Sequence, residues 1–164
     1  MSDRCLFGPS VPLLPNRGDA FVKIVQARDH IVLVTDEFRR VIALEGKTTP
    51  GAKLRSWAGT SIGRWEGDTL VVETRNFNSR TPSFGGAGDS REKVVTERFA
   101  RTSKNGLDYS ATIVDPKTFQ ERIEVGFPMG HVDKQIFESA CHEGNYSLRN
   151  TLSAARKEDE TKTR

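Results

Sequence analysis

From residue 21 onward, apolar and polar side chains alternate in short runs, the period of a strand with one face on a core. FVKIVQA (21–27), HIVLVTD (30–36) and RRVIALEG (39–46) are β-branched and separated by tight turns. Residues 46–60, GKTTPGAKLRSWAGT, form a loop, and SIGRWEGDTLVVET (61–74) reads as a hairpin with Gly67 at its turn. A long glycine-rich loop, RNFNSRTPSFGGAGDS, covers 75–90; loops of this length are usually lids or connections. The strongest strand pattern follows, KVVTERFAR (93–101) turning through TSKNG into LDYSATIVD (107–115). RIEVGF (122–127) and KQIFESACHE (134–143) complete the set. Helical spacing appears only near the end, where Leu148, Leu152 and Ala155 share a face and Ser147 is placed as N-cap.

The pattern therefore predicts an all-β fold, an antiparallel meander of about eight or nine strands closed into a lipocalin-like (calycin-type) barrel, with a short C-terminal helix. A barrel of about eight strands has room for a filled core or one small ligand. Residues 1–20, rich in proline and glycine, are expected as an extended arm, 21–156 as the barrel domain, and 157–164 as a disordered tail.

Strand period also sorts the polar residues. Tyr109, Ala111 and Ile113 share an inward face, as do Ile123, Val125 and Phe127. Val95, Glu97 and Phe99 lie together, which sets Glu97 as an acid on an apolar face. Burial raises a carboxyl pKa, so Glu97 is a candidate general acid or base. The competing expectation is that Arg98, Arg64 or another guanidinium neutralises it near a barrel rim. In 134–143, one face carries Ile136, Glu138, Ala140 and His142, and the other Phe137, Ser139 and Cys141. If the first face is inward, Glu138 and His142 join Glu97 and Tyr109 as acid–base candidates; neighbours point oppositely, so both faces cannot be inward. Trp65 is expected to plug or flank one barrel end, with Arg64 and Glu66 directed the other way. Trp65, Arg64, Phe99 and Phe84 are the candidate ligand contacts.

Composition changes this picture little. At 164 residues the chain suits one domain with a real core. Only 35% of residues are hydrophobic and 29% are charged, yet the apolar ones cluster in alternating runs, which argues against disorder. The net charge of +3 and pI near 9.0 invite a nucleic-acid reading. It is set aside because Lys and Arg are interleaved with 22 acids and form no basic stripe. No window approaches a membrane span. Asp3 and two prolines break the pattern of a signal peptide, so the chain as given reads as cytoplasmic or as a mature piece.

Chemistry-bearing motifs are sparse. His30, His131 and His142 lack metal-ligand spacing, GGAG (85–88) lacks the lysine and helix of a phosphate loop, and no serine sits in a nucleophile elbow. Neither a metal nor a cofactor is expected. Cys5 and Cys141 are either two buried thiols or a bridge closing a long loop, which would contribute about 4 kcal/mol.

DRC near the start, SIGRWEGDTLVVET followed by NF, then VTERF, DP and ESACHEGNYSL with a following AAR together resemble an uncharacterised bacterial, mostly exported protein family. The resemblance covers roughly residues 3–156 and rests on the GRWEGDTLVV and ACHEGNY segments. It implies a Cys5–Cys141 bridge and a periplasmic or secreted origin, and it implies no particular reaction. Three positions depart from the family: Lys93 replaces a histidine, Glu121 and Arg122 replace Pro-Trp, and Ser139 replaces an aromatic. They mark either a lost site or a reshaped cavity.

Three functions follow as expectations. The first is binding of a small hydrophobic or amphipathic molecule in a barrel cavity. The second is a cofactor-free enzyme (isomerase, dehydratase or cyclase) using Glu97 with Glu138, His142 or Tyr109. The third is a structural or partner-binding module.

Overall fold

The computed structural model describes residues 11–14, 21–46, 54–81, 84, 90–138, 140 and 142–162. Eight strands form one curled sheet, a half-barrel: β1 (Lys23–Gln26), β2 (His30–Val34), β3 (Arg39–Leu44), β4 (Thr60–Glu66), β5 (Thr69–Arg75), β6 (Val94–Ser103), β7 (Gly106–Val114) and β8 (Ile123–Gly130). Spatial order follows chain order, so among the described residues β1 and β8 are the open edges. The expected all-β, barrel-like architecture is observed. One pair departs from a pure antiparallel meander, since β3 and β4 run parallel. The connection 45–59 makes this possible, because a parallel return needs a dozen or more residues.

Local chemistry explains the best-formed hairpin. Glu66 pairs with Thr69, leaving a two-residue turn, and Gly67 adopts φ +59°. Glycine at the first turn position suits the right-handed twist of the flanking strands.

Cross-strand register stacks the inward residues in rows. One row runs Trp65–Leu70–Phe99–Tyr109–Phe127, the next Gly63–Val72–Glu97–Ala111–Val125, and a third Ser61–Thr74–Val95–Ile113–Ile123. Ile42, which pairs with Ser61, and Ile31 extend this face through β3 and β2. A side chain at Gly63 would bring its Cβ to 2.9 Å from Ile42 Cγ2, so the close fit of β3 on β4 there requires glycine. The β5, β6 and β7 residues of these rows are buried, whereas Ile123, Val125, Phe127 and Met129 on edge strand β8 are half-buried.

Two expectations change. Of the expected arm, residues 11–14 are described, and Val11 and Leu13 are buried in the concave core. Residues 134–138 form no strand; after β8 the chain runs through 131–138 without regular structure. Its polar and apolar residues give neither face enough burial to hold a register. Helix α1 (Ser147–Lys162) continues through most of the expected tail and buries none of its residues. Ser147, expected as the N-cap, is instead the first helical residue: the Tyr146 carbonyl accepts the first helical bond, from Asn150, and Asn145 Oδ1 accepts the Ser147 amide at 3.0 Å. No helix among the described residues is long and apolar enough to cross a membrane. Cys5, Ser139 and Cys141 lie outside the described residues, and so does the expected bridge.

Candidate functional site: a buried Arg40–Glu97–Tyr109 network under the arm

Glu97 faces the concave core with Val95 and Phe99, as strand alternation requires, and is fully buried. Inside the core a guanidinium meets its carboxylate. That guanidinium is Arg40 of β3, 3% exposed. Arg40 Nη1 donates to Glu97 Oε1 at 3.1 Å, and its Nη2 makes a very short contact with Oε2, a two-pronged ion pair. Two more Arg40 donors are also engaged: Nε to Ser61 Oγ at 2.9 Å and Nη2 to Thr74 Oγ1 at 2.9 Å. Ser61 and Thr74 hydroxyls are 2.9 Å apart and bridge β4 to β5 beneath the guanidinium.

Glu97 Oε1 gains two further donors. Tyr109 Oη donates at 2.8 Å, and the Leu13 amide donates at 3.2 Å. The same Leu13 amide lies 2.9 Å from Tyr109 Oη, so the arm is held at the junction of both side chains. Burial, then the Glu97 charge and the hydrogen bond to it, push the Tyr109 phenol far above its usual range. Tyr109 is thus a fixed hydrogen-bond donor at all working pH values. Its ring packs edge-to-face on Phe99 and tilted on Phe127, both at 5.0 Å between centroids.

A second buried charge lies deep in the same molecule. Lys93 is 1% exposed, with Nζ 4.1 Å from the Phe77 ring centroid, a cation–π contact. Burial lowers its pKa to about 8, against the opposing pull of Asp115. Asp115, also 1% exposed, accepts from Thr118 Oγ1 at 2.8 Å and the Lys117 amide at 3.3 Å.

Of the residues expected to act, the structure brings Glu97, Tyr109 and Phe99 together. Phe84 is partly buried against the same core. Glu138 and His142 are exposed outside any strand and do not join Glu97. Arg64 lies on the convex side, where it bonds Glu66 at 2.7 Å, and does not neutralise Glu97. Arg98 likewise reaches Glu66, at 3.0 Å. Trp65 ends the aromatic row at the rim, 48% exposed, beside a shallow cleft of about 260 Å³ lined with Gly67, Asp68 and Arg101. Sequence reasoning missed Arg40, although its signal was present: alternation in RRVIAL places it on the inward face with Ile42. Leu13 had no such signal, because the arm carries no strand period.

Chemically, the network is a buried ion pair with further donors converging on one carboxylate oxygen. Glu97 Oε1 accepts from Arg40, Tyr109 and Leu13, and Oε2 accepts from Arg40. A general base needs a lone pair aimed at substrate, and here Glu97 is fully buried with both oxygens engaged by donors. No group of three or more potential metal ligands occurs among the described residues. Comparison with protein-family models, curated proteins and solved structures finds no match for this chain.

Proposed function

We propose that the protein is a non-catalytic binding module whose half-barrel receives a small apolar or amphipathic molecule in its concave face, in competition with its own residues 11–14. One observation carries this reading. A segment from outside the sheet, with apolar Val11 and Leu13, lies on the concave core, and Glu97 and Tyr109 hold its amide. A face that accepts apolar groups flanking one hydrogen-bond donor is chemically suited to an amphipathic guest of that pattern. The exposed Trp65 at the end of the aromatic row supplies an entry to it.

The experiment is titration of the full chain with Nile Red and a panel of fatty acids, beside Leu13→Pro, which removes the amide donor. Weak saturable binding by the native chain and at least about threefold tighter binding by Leu13→Pro, with native circular dichroism in both, is the expected result. Absence of saturable binding in both chains overturns the reading. That outcome favours the alternative that the filled concave face itself motivates, a structural or partner-binding module. The enzyme reading is less favoured, since its central acid is fully buried in an ion pair with Arg40.

A further inference from the structure

We propose that a cleft between the β2–β3 turn and the 131–138 segment binds a small organic ammonium ion, of the alkylammonium or trimethylammonium class. This cleft has a volume of about 180 Å³ and is lined by Phe21, Asp36, Gln135, Ile136 and Phe137. It lies outside the concave network and does not depend on the guest reading above.

Each lining group suits a cation with an apolar shell. Phe137 is the most exposed of the large hydrophobic side chains, at 73%. A ring that exposed contributes little to the core and leaves its π face open to a ligand. Asp36 makes no hydrogen bond or ion pair among the described residues, so its carboxylate is available as counter-charge. Gln135 adds an amide, and Ile136 an apolar wall. The molecule also supplies its own stand-in: the Lys134 ammonium, which is not part of the cleft lining, sits 5.2 Å from the Phe21 ring centroid. One ring of the site is therefore already shown to accept an alkylammonium at cation–π distance. The volume admits a head group with a short chain. Two aromatic rings and one carboxylate distinguish a cation from a neutral molecule of equal shape, because only the cation gains from the ring quadrupole and the counter-charge.

The test uses the full chain and choline, followed by chemical-shift changes of the Phe21 and Phe137 ring protons. Its neutral isostere, 3,3-dimethylbutan-1-ol, is titrated in parallel. Choline is expected to saturate, with the isostere at least about fivefold weaker. Phe137→Ala and Asp36→Asn remove exposed groups, so folding is retained, and each is expected to weaken choline by about threefold. Lys134→Ala removes a like charge from beside the site and is expected to tighten it. The proposal is overturned if choline fails to saturate, if the isostere binds equally well, if neither weakening variant has an effect, or if Lys134→Ala weakens binding.

Discussion

The two faces of the half-barrel carry the same chemistry with opposite consequences. On the concave face Arg40 meets Glu97 with both partners nearly inaccessible to water. On the convex face Arg64 and Arg98 converge on Glu66, with all three side chains between 39% and 47% exposed. The inner pair has lost its hydration, so each charge depends on its partner; the outer trio is still solvated and screened by salt. What the outer arginines add is cover: Val71, paired in register with Arg64 and Arg98, is fully buried although it faces outward. Their aliphatic stems account for that burial. An ion pair's worth here follows from water access and not from its geometry alone.

Breaking the inner pair is expected to have the largest effect. Glu97→Gln or Arg40→Met strands a buried partner and should cost about 3–5 kcal/mol in urea unfolding. The double replacement Arg40→Met with Glu97→Leu should cost less than either single change, since no charge is then stranded. A loss in the double variant equal to the sum of the two single losses would show that the pair is not coupled.

Next comes Lys93. Its folded pKa of about 8 lies below the unfolded value, so between pH 8 and 10.5 the unfolded chain binds more protons. Stability should therefore rise as pH increases through that window, by at most about 3 kcal/mol. Tyr109 acts oppositely: its raised folded pKa keeps its contribution intact below pH 10 and removes it above, as the unfolded phenol ionises. Unfolding measured from pH 7 to 11 should thus climb from pH 8, then bend over near pH 10. Lys93→Met should flatten the climb, and Tyr109→Phe the bend.

Removing the arm's amide with Leu13→Pro is smaller, about 1 kcal/mol, because Arg40 still satisfies Glu97. Smallest of all is Arg98→Met on the convex face, which keeps an apolar stem over Val71 and removes only the charge, so the unfolding midpoint should barely move and any shift should vanish at high salt. A salt-insensitive loss there would erase the contrast between the two faces.

Much of the fold was legible because strand alternation is a local property. Val95, Glu97, Phe99, Tyr109, Ala111 and Ile113 could be assigned to one face from their spacing alone, and all six are buried. The same reading extended to Arg40 would have found the ion pair, since RRVIAL alternates as cleanly as VVTERFA. The strand at 134–143 failed for the reverse reason: its two possible faces were equally mixed, and no burial gain selects between them. Trp65 and Arg64 were placed correctly on opposite sides, but the hairpin that carries them does not point its arginine at Glu97.

By itself the sequence determined the strand periods, the Gly67 turn and the inward set of the central strands, because each depends on residues two to four positions apart. Tertiary structure alone decided which guanidinium meets Glu97, that β4 returns parallel to β3, and that Leu13 caps the network across 84 residues of chain. Such pairings rest on desolvation and on side chains that folding brings together from distant parts of the chain. No local pattern encodes how water will be excluded from a carboxylate until the arm is laid over it.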